Sequence, residues 1–229
     1  TAEVNSLIYN GLKDLVPGVD QTTFINEYIV SSETVGPTIA KDQASKAIWA
    51  IGLALVGMFL YIFIRFRKWQ YGVGSVVALA HDVIIVLGLY SILQGIMPFS
   101  MDIDQAFIAA ILTVVGYSLN DTVVIFDRIR EYLPIYRKRP TKEVYNMALN
   151  STLARTLNTG MATIFVLIVI FIFGGEVIRG FIFALLFGIV FGTYSSLFVS
   201  TPVLYETTRK KGEESDAHPV EAEKKKIAG

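Results

Sequence analysis

The sequence contains no cysteine and only two histidines, His81 and His218. Without thiols it has no disulfide framework, thiolate nucleophile or cysteine-bound metal. No His-Glu-x-x-His run is present, which removes the zinc-protease signature. No glycine-rich loop leads into Lys-Ser or Lys-Thr, so a nucleotide-hydrolysing motor is not supported. There is no charge of one sign to spend on nucleic acid: 20 Lys and Arg balance 20 Asp and Glu, where a basic stripe would be expected. Charge is scarce altogether, at 17% of residues against 53% hydrophobic. Soluble domains average about 25% charged and 45–50% apolar. The chain ends are polar, so the excess falls in the middle.

Residues 1–43 read as the end of a small α+β extracytoplasmic domain. Val4, Leu7, Ile8, Leu12 and Leu15 recur at helical spacing until Pro17-Gly18 stops them. Phe24–Val30 has the composition of a short strand. About forty residues cannot bury a core of their own, so the body of that domain is expected upstream, and the chain is read as part of a longer protein. Five apolar segments follow, at about 44–64, 72–94, 104–126, 154–173 and 178–203, each near the ~20 residues that cross a bilayer. Lys and Arg crowd the connections on one side: Arg65, Arg67 and Lys68, then Arg128, Arg130, Arg137, Lys138, Arg139 and Lys142, then Arg209, Lys210 and Lys211. The other side has none between Gln94 and Asp104 and one, Arg179, in the last short loop. That bias places the N-terminal part outside and the C-terminus in the cytoplasm. Five crossings is odd, which suggests a missing upstream helix. Residues 209–229 are polar enough to be read as a disordered tail.

Membrane helices pack through small residues. The fifth segment carries Gly180, Ala184, Gly188, Gly192 and Ser196, each four apart. The third carries Ala106, Ala109, Thr113, Gly116 and Asn120; the second, Gly74, Ala78 and Asp82; the fourth, Thr152, Arg155, Thr159 and Thr163. All four rows are read as buried faces. Several ionisable groups fall on or beside them. A carboxylate at the centre of a membrane helix costs roughly 2.5–3.5 kcal/mol on insertion scales, which makes it a functional candidate by default. Asp82 is placed near the midplane and Asp121 in the inner third. Arg155 has two readings: a partner for Asp121, or a side chain that snorkels to the inner interface. His81, beside Asp82, is a proton-coupling candidate or a satisfied interhelical hydrogen bond. An Asp82–Asp121 protease dyad is disfavoured by the difference in their depths.

Around Asp121 runs Gly116-Tyr117-Ser118-Leu119-Asn120-Asp121-Thr122, and this stretch resembles the SecF family, the C-terminal half of the SecDF protein-export complex. Val35-Gly36-Pro37, Ala78-Leu79-Ala80-His81-Asp82, Asn150-Ser151-Thr152-Leu153-Ala154-Arg155-Thr156, Phe173-Gly174-Gly175-Glu176 and Gly192-Thr193-Tyr194-Ser195-Ser196 are similar to SecF signatures in the same order. The resemblance implies an all-α polytopic membrane protein. This chain would hold five of the six helices of one resistance–nodulation–division-type half, in the bacterial cytoplasmic membrane. It implies a non-enzymatic auxiliary role in which the proton motive force promotes translocation and release of secreted polypeptides. The implied partners are a SecD half, separate or fused upstream, the SecYEG translocon, the SecA motor indirectly, and membrane lipids. No cofactor is implied, and the coupling ion is H⁺ or Na⁺. The family's transmembrane Asp and Arg carry over onto Asp121, beside Asn120, and Arg155; His81-Asp82 matches a further motif. Two alternatives share the residues: a proton-driven exporter of lipids or small molecules, and a structural subunit of a translocation complex.

Overall fold

The computed structural model describes residues 2–15, 17–25 and 37–209, with side chains left out of account at 2–4 and 37–44. They form two compact units, divided at Ser45. In the first, α1 (Ala2–Leu12) and the single turn α2 (Gln21–Thr23) are joined by a hydrogen bond from the Tyr9 hydroxyl to the Val19 carbonyl at 2.9 Å. The rings of Tyr9 and Phe24 lie 5.5 Å apart, and Phe24 is buried. Of the strand expected over 24–30, Phe24 and Ile25 are helical, and 26–30 lie outside the described residues. The tail 210–229 and the Val35-Gly36 step lie outside them too.

The second unit is built from five helices long and apolar enough to cross a membrane. These are α3 (Pro37–Phe66), α4 (Trp69–Leu93), α5 (Gln105–Ile135), α6 (Thr141–Phe173) and a fifth that runs from α7 (Glu176–Ser195) through a wide π-turn (Ser196–Ser200) into α8 (Thr201–Thr208). The helices outrun the apolar segments because backbone hydrogen bonding does not stop where hydrocarbon does. Thus α6 starts at Thr141, thirteen residues before the expected span, and α5 continues to Ile135 past its charged cluster. Asp104 opens α5 by accepting a hydrogen bond from the Phe107 amide at 2.7 Å, which satisfies one of the orphan donors at the N-terminus. Pro202 explains the wide turn. It has no amide hydrogen to continue the ladder, and its ring would press on the carbonyl one turn back.

The row on α7 is the spine of the bundle. Ala184, Gly188, Gly192 and Ser196 are buried. A Cβ on Gly188 would collide with Val114 of α5, one on Gly180 would come within 2.6 Å of the Ser100 carbonyl, and one on Gly192 within 3.0 Å of Ser118 Cβ. On α4, Gly74, Ala78 and Asp82 are buried as expected, with Gly74 against the Ser200 carbonyl.

The row on α5 faces the other way: Ala106, Ala109, Thr113, Gly116 and Asn120 are all exposed, and nothing approaches a Cβ on Gly116 within 4 Å. On α6 the buried face is Ala148, Thr152, Thr156 and Gly160, whereas Arg155 and Thr159 are exposed. Small residues mark where a helix can be approached closely, not by which neighbour. The core sits between α4, α5 and α7 and includes Leu79, Val86, Ile111, Val114, Ile125 and Phe126. Within the second unit, α3 buries Ile62 and Phe66 fully near the Arg-rich end of the bundle, the basic end. There Phe66 stacks on Tyr71 at 4.7 Å, and Arg65 pairs with Asp127 of α5 at 2.8 Å.

Gly188→Ala should destabilise the purified subunit by about 1–3 kcal/mol through overpacking, and Val114→Ala should restore part of the loss. Gly116→Ala, with nothing within 4 Å of the added Cβ and alanine the better helix former, should not destabilise it. Thermal unfolding in detergent of the three variants reads all of this, and equal losses at Gly188 and Gly116 would refute the packing described.

Candidate functional site

Two carboxyls lie in the apolar middle of the bundle, and their surroundings differ. Asp82 is fully enclosed, at 0% exposure. Its Oδ2 accepts hydrogen bonds from Ser118 of α5 and Ser195 of α7, both at 2.8 Å. Its Oδ1 lies 3.1 Å from Nδ1 of His81. Neighbours on a helix point about 100° apart, yet these two side chains meet. One carboxyl thereby joins three helices. Close approach is permitted by Gly192, whose missing Cβ would sit 3.6 Å from Asp82 Oδ2.

Asp121, on α5, is 4% exposed, and its buried Oδ2 has no hydrogen-bond partner among the described residues. Arg155 is the charged group that acts on it, from α6. The two form no ion pair among the described residues, and Arg155 stands on an uncovered part of α6. The arrangement therefore brings Arg155 within electrostatic range without closing a salt bridge. Asn120 is exposed beside it on the uncovered side of α5. Ser118, which holds Asp82, lies three residues from Asp121, so the carboxyls differ in depth by about one helical turn.

Ser118 and Ser195 were not singled out by the sequence reading. Both lie inside motifs named for other residues, and a serine in a membrane helix can equally bond its own backbone. The usable signal was the hydroxyl one turn from Asp121. Asp127 is half-buried and held between Arg65 at 2.8 Å and Arg130 at 3.0 Å. Arg128 pairs with Glu131 at 2.9 Å, as a solvated face would. Asp102 accepts from Ser100 at 2.6 Å in the opposite loop.

Chemically, the site can hold or release one proton at Asp121 without a competing donor. Asp82 already accepts two hydroxyl hydrogen bonds on Oδ2 and lies against His81 at Oδ1, so a proton there would join an existing network. An isolated charge is costly where water is excluded, and a guanidinium within range offsets part of that cost. Small helix displacements that change the Asp121–Arg155 separation therefore change the preferred protonation state.

The family model described as "Protein export membrane protein SecD/SecF, C-terminal" matches residues 18–210. A protein translocase subunit SecF from Rhodothermus marinus is 56% identical over 178 residues, 78% of this chain and 58% of that one. The SecF of Haemophilus influenzae is 42% identical over 202 residues, 88% of this chain and 59% of that one. A SecDF from Brucella abortus is 39% identical over 191 residues, 83% of this chain but 24% of the longer protein. The crystal structure of SecDF in its super-membrane-facing form superimposes with a TM-score of 0.63 at 36% identity, covering 86% of this chain and 27% of that one. The chain thus spans less than two thirds of the relatives it matches. With five membrane-length helices, and a family model and relatives that match most of its length, it is a multi-pass membrane protein of the SecD/SecF C-terminal family.

Proposed function

We propose that this chain is the membrane portion of a SecF subunit that uses the proton motive force to promote export and release of secreted polypeptides. Its basic end lies in the cytoplasm, residues 1–43 lie outside, and the membrane is the bacterial cytoplasmic membrane. The reading makes it a transport subunit and not an enzyme, with the SecYEG translocon as its docking partner and the SecA motor acting before it. The coupling ion is H⁺, with Na⁺ as the alternative.

One observation carries the reading: a buried carboxyl without a partner, in range of an arginine on an uncovered helix face. When Asp121 is charged, Arg155 is drawn toward it. When it is protonated, that attraction is lost, and α6 is free to shift against α5. The movement passes through the bundle to α3, which leads to the outer segment. One charge crossing 100 mV releases roughly 2.3 kcal/mol, enough to bias two packings that differ by a few kcal/mol. The uncovered row Ala106, Ala109, Thr113, Gly116 and Asn120 is where the SecD half packs, since small residues admit a close second helix. Relatives that carry both halves in one chain support that partner.

In the complete SecDF complex, Asp121→Asn should abolish the gradient-dependent part of export while leaving ATP-driven export intact. Wild-type gradient dependence in that variant would remove Asp121 as the switch. For orientation, single cysteines at Lys138 and Asp102, both exposed, should react with an impermeant maleimide from opposite sides of the membrane. Reaction from one side would overturn the five-span arrangement.

A further inference from the structure

The turn between α3 and α4 consists of Arg67 and Lys68, and it joins two membrane-length stretches, Ser45–Phe66 and Trp69–Leu93. Among the described residues, Arg67 is the one non-glycine residue with a positive φ, 56°. Its amide donates to the Phe63 carbonyl at 2.8 Å and so closes α3. Glycine commonly fills that left-handed closing position, because a Cβ there crowds the following carbonyl. An arginine held in such a conformation points to a use for its side chain.

Two further guanidinium groups gather beside this turn. Arg65 and Arg130 share the Asp127 carboxylate at 2.8 and 3.0 Å, and Arg130 Nη1 donates to the Arg65 carbonyl at 3.3 Å. They lie over the Phe66 ring, 5.5 and 5.1 Å from its centre. That ring is fixed in turn by stacking on Tyr71 and by the edge of Phe126. Both cations are therefore held in place, yet both remain exposed. Their contacts engage one nitrogen of Arg65 and two of Arg130, whereas each guanidinium carries five N–H donors. Arg67 and Lys68 are exposed and make no ion pair among the described residues. Four cations thus meet one carboxylate. The next acid along α5, Glu131, is taken by Arg128 at 2.9 Å.

The surface next to the cations decides which anion fits. Tyr61, Phe63 and Ile64 of α3 and Trp69 of α4 are exposed, so an uncovered apolar flank adjoins the cluster where the two spans end. A ligand with a phosphate at the membrane surface and acyl chains beside it uses both features. Inorganic phosphate uses the cations alone. Basic pockets between membrane helices at this level suit anionic lipid headgroups. We infer that the α3–α4 turn, with Arg65 and Arg130, holds the phosphodiester headgroup of an anionic phospholipid whose chains lie along the exposed face of α3. Arg67 and Lys68 supply the uncompensated charge, and Arg65 and Arg130 supply spare, pre-positioned donors. The cations of the α5–α6 loop stand apart from this site. Helix α5 runs on from Asp127 to Ile135, about 12 Å, which exceeds the Debye length of about 8 Å at physiological salt. The inference depends neither on Asp121 being the switch nor on which side of the membrane the basic end faces.

The test uses the full-length subunit in complex with its SecD half, in nanodiscs of phosphatidylcholine with and without phosphatidylglycerol. Native mass spectrometry counts the lipid retained after extraction, and thermal unfolding is followed in the same discs. In the wild type, phosphatidylglycerol should stay bound and raise the unfolding temperature. Arg67→Gly combined with Lys68→Gln should weaken its binding roughly thirtyfold, from about fivefold per basic residue near a membrane surface. The same variant should unfold no earlier than wild type in phosphatidylcholine alone, since glycine suits the left-handed position. If it does unfold earlier, Arg67→Asn with Lys68→Gln takes its place, because asparagine also tolerates that region. Arg137→Gln with Lys138→Gln removes the same charge from the α5–α6 loop and should change binding by less than about twofold. Equal losses in the two pairs would reduce the site to diffuse surface charge and overturn the inference. So would unchanged lipid binding in the Arg67–Lys68 variant. Displacement of phosphatidylglycerol by millimolar inorganic phosphate would overturn it too, since the ligand would then be a free anion.

Discussion

The hydrogen bonds from Ser118 and Ser195 to Asp82 set the frame on which the rest is built. They join α4, α5 and α7 at one buried carboxyl, and they can form only because the backbone of α7 comes close at Gly192. In hydrocarbon, no general hydrophobic force drives one apolar helix onto another. Close packing and a few well-made polar contacts must do that work. Here the glycine row supplies the first and Asp82 the second. Removing either leaves the other strained: an Asp82 without its serines is a buried acid left with His81 alone, and a glycine row without its pin has no fixed register.

One turn away, Asp121 shows the opposite economy. It is nearly as well buried but lacks the donors that would settle it. Three contacts hold the Asp82 carboxyl in place, whereas the open Asp121 oxygen has none among the described residues. The bundle thus places a pinned carboxyl and an open one about one helical turn apart in depth. Disturbance at Asp121 is felt first by α5 and α6, while α4, α5 and α7 stay tied together at Asp82. The Arg65–Asp127–Arg130 group adds a second tie at the basic end of α5, two turns farther on.

Much of the bundle was legible in the sequence. The five helices follow from apolar length, and the α7 row from its spacing, because a run of small residues four apart has no purpose on a lipid-facing surface. The same logic misassigned the α5 row, which the described residues leave exposed. On α6, the row chosen through Arg155 was one residue off the buried face, because a helix rich in threonine offers more than one polar stripe and spacing cannot choose between them. Asp82 and Asp121 stood out by charge. Ser118 and Ser195 did not, since hydroxyls are tolerated in membrane helices, and only the tertiary register shows which of them point at a carboxyl.

The wide turn at Ser196–Ser200 has a consequence best expressed as phase. Residues spaced by four advance about 40° per step around a helix of 3.6 residues per turn. Carried from Gly180 to Leu204, the row would travel about 240° and leave the side on which it began. The wide turn absorbs one extra residue, about 100° of that drift. Ser200 and Leu204 are fully buried, with α8 seated on α4. A proline that looks like a defect is thus a phase correction, and it lets one crossing hold Ser195 against Asp82 and Leu204 in the core at once.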